Sequence, residues 1–212
     1  MTGGRVVIVG GGAYARILIK ALRLLSVDVV GIVDADATMK NQKVDGISVL
    51  GGDETLDDLD REIHLVNGVG SANSMLPRRA VFERLASKGH RFASVIHPAA
   101  ICESDVKLGE GVHILAGAIV QTFTAIAADT IVNMGALIDH DCKVGAHCHI
   151  APRVALSGNV EVGDACFVGV GAVVIQGISI GAESVVAAGS AVIRDVGAGS
   201  VVAGVPARPI SR

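Results

Sequence analysis

Every sixth residue between positions 108 and 192 is aliphatic: Leu108, Ile114, Val120, Ile126, Val132, Ile138, Val144, Ile150, Leu156, Val162, Val168, Val174, Ile180, Val186 and Val192, with no insertion in the series. Two residues before most of these stands a small one: Ala118, Thr124, Thr130, Ala136, Cys142, Cys148, Cys166, Ala172, Ser184 and Ser190. Self-similarity at a fixed period marks a solenoid. A period of six fits neither the 3.6 of a helix nor plain strand alternation. It fits short strands joined by corners, in which alternate residues point inward and stack on their counterparts in the next coil. The fold class expected for this stretch is therefore a parallel β-helix. Aromatic residues at 2%, no Trp and 27 Gly suit its narrow interior.

The same composition argues against several function classes. A net charge of −3 leaves no basic footprint for nucleic acid, and the scarcity of aromatics denies a stacking platform for single strands. No run of about 18 apolar residues suggests a membrane span, and the apolar stretch 6–9 has the length of a strand rather than of a signal peptide. The four cysteines form no CxxC pair, and Cys142, Cys148 and Cys166 fall in the small inward slot. They read as core thiols in a reducing cytoplasm, the expected location.

The first ninety-odd residues have a different pattern. Residues 5–9, RVVIV, read as a buried parallel strand, Gly10 to Arg16 as a turn opening a helix and residues 17–25 as its continuation. A second strand over 28–33 ends in Asp34-Ala35-Asp36. This βαβ unit places a glycine turn where a nucleotide phosphate sits on a helix N-terminus, with carboxylates about twenty residues further on for a ribose. An edge segment is expected at 47–52, a helix near 53–59, a strand at 63–68, a helix over 72–88 and a fourth strand at 92–95. The X-Pro step at His97-Pro98 marks the hand-over to the solenoid. The expected domains are thus an α/β Rossmann-like unit over 1–95, a β-helix over 96–194 and a tail over 195–212.

The hexad pattern resembles the hexapeptide-repeat acyltransferases, whose left-handed parallel β-helix has three hexads per coil. Fifteen hexads would then make about five coils. The resemblance also implies a homotrimer, with acetyl-CoA bound as co-substrate between subunits. The N-terminal block narrows it to a group with a Rossmann-like domain before the β-helix. That group comprises sialic acid O-acetyltransferases and N-acetyltransferases of nucleotide-linked 4-amino-4,6-dideoxy sugars such as GDP-perosamine or UDP- and dTDP-linked relatives. Its usual Gly-x-Gly-Gly-His-Ala is matched here by Gly10-Gly11-Gly12-Ala13-Tyr14-Ala15, so Ala13 replaces a glycine and Tyr14 a histidine. By the resemblance Gly10, Gly12, Ala13, Tyr14, Asp34 and Asp36 line the nucleotide-sugar site.

The densest polar cluster on the solenoid runs from Asn133 through Asp139-His140-Asp141-Cys142 to His147-Cys148-His149. Acetyl transfer to an amine requires a base, a donor for the thioester oxygen, and alignment. Histidine titrates near neutrality, and a carboxylate beside it fixes its tautomer. His140 follows the inward Ile138 by two residues and so belongs to a corner. The resemblance makes His140 the general base and Asp141 its carboxylate partner, although from spacing alone Asp139 and Asp141 are both open. Eighteen residues make one coil, so Gly158 lies next to His140 along the axis, where its N–H would meet the thioester carbonyl. His149, half a coil away, belongs to another side of the prism and would meet His140 only across a subunit boundary. The resemblance assigns it to the acceptor or the acetyl group, the segments at Ala187 and Val205 to the pantetheine arm or adenine, and Arg208 to the CoA phosphates. His147 reads as a solvated side chain, and His97 and His113 as surface or boundary residues. No metal is expected, because half-coil separations do not converge. The reading is an acetyl-CoA-dependent N-acetyltransferase without an acyl-enzyme; a sugar O-acetyltransferase and a non-catalytic scaffold are the alternatives. The nucleotide, the sugar and the glycan pathway, whether lipopolysaccharide O-antigen, capsule or protein glycan, are left open.

Overall fold

A computed structural model describes residues 4–60, 62–70 and 74–211. The N-terminal part is a five-stranded sheet of β1 (Arg5–Val9), β2 (Asp28–Val33), β3 (Lys43–Val44), β4 (Ile47–Gly51) and β5 (His64–Asn67), in the order β3-β4-β2-β1-β5. All pairs but the β3–β4 hairpin are parallel. The helices α1 (Ala13–Leu24) and α2 (Leu76–Ser87) cover opposite faces. The alternation of β1 decides the sides: Val6 and Ile8 pack with Leu18 and Leu22 of α1, while Val7 and Val9 pack with Phe82 and Leu85 of α2. A strand buried on both faces reads as a continuous apolar run, as RVVIV does.

Three expectations are corrected in detail. The helix near 53–59 is a 3₁₀ helix over Asp53–Asp58. The helix expected over 72–88 begins at Leu76 with Pro77 in its first turn, and positions 72 and 73 lie outside the described residues. The fourth strand at 92–95 shrinks to one bridge, Phe92 to Leu65. The chain cannot stay in that sheet, because Val95–Ile96 already pairs with His113–Ile114 as the first strand of the solenoid.

From there two-residue strands recur every six residues, and each pairs in parallel with the strand eighteen residues on, as in Ile119↔Leu137 and Leu137↔Ala155. Three flat faces result. The first carries Val95–Ile96, His113–Ile114, Ile131–Val132, His149–Ile150, Phe167–Val168 and Val185–Val186; the second runs from Ile101–Cys102 through Leu137–Ile138 to Ala191–Val192; the third from Lys107–Leu108 through Lys143–Val144 to Ser179–Ile180. The fold is a left-handed β-helix. The aliphatic series forms its core, with Ile114, Val120, Val132, Ile150, Val168 and Val186 fully buried. The small slot has a second use. Its hydroxyl or thiol donates to a carbonyl fifteen residues on: Thr124 to Asp139 (2.9 Å), Thr130 to Gly145 (2.7 Å), Cys142 to Ser157 (3.2 Å) and Cys166 to Gly181 (3.1 Å). A buried polar group needs such a partner. After Asp195 the coil shortens, so that Val185 pairs with Val201 sixteen residues on. The chain then folds back as an antiparallel pair, Arg208–Pro209 against Val202 and Ala203.

The two parts are joined through the first face and the vertex between the third and first faces. Leu115 packs in the α1 core, and the Tyr14 hydroxyl is hydrogen-bonded to Nδ1 of the fully buried His113 at 2.9 Å. On α2, Arg78 is fully buried: Nη2 lies 2.8 Å from Oδ1 of the equally buried Asp129, Nη1 donates to the carbonyls of Asn67 and Val69, and Nε to that of Asp129. The second carboxylate oxygen of Asp129 faces His147 Nδ1 at 3.1 Å, and the His147 ring stands edge-on to Phe82. His113 and His147 are therefore not the boundary and solvated side chains expected. A solenoid corner is polar by pattern, and only the packing of α2 and Tyr14 against this side buries these two. Burial keeps His113 uncharged, well below the ordinary imidazole range, with Arg78 adding to the effect.

Candidate active site

His140 sits at the vertex between the second and third faces, after Leu137–Ile138 and before Lys143–Val144. Its side chain is half exposed, which a proton-transfer group requires. Nδ1 lies 2.7 Å from Asp141 Oδ2. An ionised carboxylate only accepts, so Nδ1 carries the proton and Nε2 presents its lone pair. Adjacent residues on a strand point to opposite faces, but Asp141 is in the left-handed region (φ 59°), and that corner turns its carboxylate back onto the neighbouring imidazole. Asp139 instead accepts the His140 backbone N–H at 2.8 Å. The question that spacing left open has a geometric answer: Asp141 holds the ring and Asp139 holds the corner. Together they raise the His140 pKa above its ordinary value, chiefly through the Asp141 hydrogen bond and then the Asp139 charge.

Gly158 stands one coil further on. A Cβ there would lie 2.7 Å from both Cε1 and Nε2 of His140, so the imidazole occupies the space a side chain would take. The neighbouring amides are in use, Ser157 N–H by Val174 and Asn159 N–H by the His140 carbonyl (2.9 Å); no such bond takes up that of Gly158 among the described residues. A base nitrogen and a free N–H donor therefore lie side by side at one vertex. Cys142 offers no rival nucleophile: it is fully buried, bonded to Ser157, and burial raises its thiol pKa.

His149 lies on the first face, away from this vertex, and is buried. Its Nε2 accepts from Asn133 Nδ2 at 2.9 Å, and Phe167 stands edge-on to the ring. Asn133 was part of the polar cluster in the sequence, but its pairing follows from neighbouring coils and from no motif. The Ala187 N–H donates to the Val202 carbonyl at 2.9 Å. Val205 is exposed, and the exposed Arg208 guanidinium donates to the Ala207 carbonyl. Among the described residues no three His, Cys, Asp or Glu side chains converge to hold a metal ion.

The nucleotide-type residues gather at the end of β1. Gly10 has φ +94°, and its N–H donates to Val33; Gly12 caps α1 with no side-chain acceptor, and Ala13 opens the helix, both exposed. Asp34 accepts from the Gly11 N–H (2.6 Å) and the Asp36 N–H (2.8 Å), while Asp36 accepts from the Thr38 N–H and hydroxyl. These carboxylates therefore shape the loop as well as line it. Tyr14 anchors the cluster over the first face through His113, whereas His140 is on the opposite vertex. One chain does not bring the two together.

The sequence matches no protein-family model and no curated protein. Solved structures are similar over the whole chain. PerB of Caulobacter crescentus, in complex with CoA and GDP-perosamine, is 38% identical with a TM-score of 0.91, covering 98% of each chain. The same organism's perosamine N-acetyltransferase, with a single histidine replaced by asparagine, is also known with CoA and GDP-perosamine. The acetyltransferase domain of PglB from Neisseria gonorrhoeae, in complex with acetyl coenzyme A, is 29% identical with a TM-score of 0.89, covering 98% of this chain and all of that one. WeeI from Acinetobacter baumannii, at 20% identity and a TM-score of 0.86, shares the fold. With coils and full-length similarity in agreement, the chain belongs to the hexapeptide-repeat, left-handed β-helix sugar acetyltransferases and is an acyltransferase.

Proposed function

We propose that the chain transfers the acetyl group of acetyl-CoA to the 4-amino group of a nucleotide-linked 4-amino-4,6-dideoxy sugar. The observation that carries this reading is the His140–Asp141 pair with its Nε2 beside Gly158. The neutral amine attacks the thioester carbonyl while His140 Nε2 takes its proton, and Asp141 stabilises the imidazolium that forms. The oxyanion of the tetrahedral intermediate accepts from the Gly158 N–H. Collapse expels the CoA thiolate, which takes the proton from the His140 imidazolium to become the thiol, and leaves the amide. No acyl-enzyme takes part, because the Cys142 thiol points into the core.

The glycine turn at Gly10 and Gly12, the exposed N-terminus of α1 at Ala13 and the ring of Tyr14 would hold the nucleotide diphosphate, with Asp34 and Asp36 at the ribose. His149 would face the acceptor or the acetyl group, and the segments at Ala187, Val205 and Arg208 would follow the CoA arm and its phosphates. The nucleotide cluster and His140 lie on opposite sides of one prism, so the complete site would combine two protomers of a homotrimer, at work in the cytoplasm. Similarity to an enzyme bound to GDP-perosamine makes a GDP-linked sugar the first acceptor to try.

The experiment is thiol release from acetyl-CoA against UDP-, GDP- and dTDP-linked 4-amino-4,6-dideoxy sugars, with His140→Ala alongside. Fast turnover on one member, reduced by several orders of magnitude in the variant, supports the reading. Turnover only on a sugar hydroxyl, or none on any acceptor, sinks it.

A further inference from the structure

The vertex that carries His140 has a second unusual occupant one coil below. Phe123 lies eighteen residues before Asp141, and the two corners are joined by the Asp141 N–H donating to the Thr122 carbonyl at 3.1 Å. Phe123 is 72% exposed, the most exposed aromatic ring among the described hydrophobic side chains. It is also in the left-handed region, φ +60°. The other side-chain-bearing corners in that conformation hold aspartate, asparagine, histidine, arginine, alanine or glutamate. A bulky apolar ring gains nothing there within the chain, since the conformation is strained and the ring faces water. The corner is nevertheless held firmly: Asp105, one coil lower, accepts both the Phe123 N–H (3.1 Å) and the Thr122 hydroxyl (2.5 Å) through one oxygen. A corner backbone fixed in this way sets where the apolar ring leaves the chain, at the same vertex as His140.

The two axial sides of His140 are different. Gly158 occupies the side toward the C-terminus and, on the reading above, receives the thioester oxygen. The side toward the N-terminus is left for the acceptor; Thr122 lies one coil below His140 there, and Phe123 follows it at the same corner, below Asp141. We propose that Phe123 is a specificity-determining residue, the apolar wall against which the acceptor sugar lies with its C–H face and its 6-methyl group. The inference rests on the proposed N-acetyltransferase reading. A 4-amino-4,6-dideoxy pyranose carries a methyl in place of the 6-hydroxymethyl group, so beside the reacting C4 amine its C5–C6 edge is apolar, and an aromatic face packs on that edge without leaving a 6-hydroxyl unpaired. The same wall discriminates against a sugar that keeps the 6-hydroxyl, because that group would be desolvated against the ring.

The test uses the full chain, with Phe123→Ala and Phe123→Leu. Steady-state constants are measured for acetyl-CoA, for a 4-amino-4,6-dideoxy sugar nucleotide and for its 6-hydroxy analogue, and molar mass is followed by light scattering. In Phe123→Ala the KM for the dideoxy acceptor should rise roughly ten-fold, and the preference over the 6-hydroxy analogue should shrink by a similar factor. The KM for acetyl-CoA and the molar mass should stay as in the wild type, and Phe123→Leu should keep much of the preference. Unchanged acceptor KM and preference overturn the proposal. A fall in molar mass with parallel loss of activity overturns it too, by placing the ring in a subunit contact. A wild type that binds acetyl-CoA but turns over none of these acceptors removes the reading beneath it, and the proposal with it.

Discussion

The His140 imidazole fills the space that a side chain at residue 158 would occupy, with Nε2 and Cε1 each 2.7 Å from the Cβ position of Gly158. Base and amide donor are thus neighbours on successive coils, about 4.8 Å apart along the axis. Gly158→Ala should push the ring out of line. Displacement of a catalytic group by about 1 Å costs on the order of 100-fold in rate. The expected outcome is a fall of that size in kcat with little change in melting temperature, since the imidazole is half exposed and free to swing toward solvent. Loss of folding in place of loss of rate would show that the close approach is structural.

The pH dependence follows from the Asp141 contact. His140 acts as a base only when neutral, and Asp141 and Asp139 raise its pKa above the ordinary value. The acidic limb of kcat/KM should therefore fall as pH drops through a value above about 6.5. In Asp141→Asn the hydrogen bond to an anion is lost, so that limb should move to lower pH while the plateau falls. A limb that stays in place would assign the titration to another group.

The Arg78–Asp129 pair is a buried charge pair between α2 and a solenoid corner. Removing one partner from such a pair costs about 3–5 kcal/mol, because the other is left as an uncompensated charge. Arg78→Met should destabilise by that order in denaturant unfolding. Adding Asp129→Asn should recover part of the loss, since the double variant buries no unpaired carboxylate. Additive losses would argue that Arg78 acts through its carbonyl contacts alone.

Tyr14→Phe tests the joint at the first face. The phenol is hydrogen-bonded to the buried Nδ1 of His113, and a buried polar group left without its partner costs about 1–3 kcal/mol. A melting temperature within error of the wild type would show that the contact is not maintained in solution.

Gly163→Ala probes the coil itself. A Cβ at 163 would meet the backbone nitrogen of Ala182 at 2.6 Å, and backbone cannot rotate aside as a side chain can. Overpacking of this kind costs about 1–3 kcal/mol. The unfolding midpoint should fall, with the His140 vertex and its kinetics largely intact.

The solenoid was legible because its period is local. Leu108 to Val192 repeat every six residues, and the position of each inward residue is set by a neighbour one coil away, at fixed sequence distance. The same arithmetic brought Gly158 beside His140 and separated His149 onto another face. The glycine turn of α1 was legible for a similar reason, since strand, turn and helix adjoin in the chain. What sequence could not settle depends on conformation or on packing between distant parts. Asp141 rather than Asp139 holds the imidazole because a left-handed corner reverses the side chain. His147 and His113 have the spacing of exposed corner and strand residues, and became buried partners of Asp129 and Tyr14 only when α2 and α1 docked against that side. The sequence by itself determined the coil, its core and the vertex that bears His140. Tertiary structure alone decided which polar residues are buried, because burial depends on which surface a separate domain covers, and no periodicity records that.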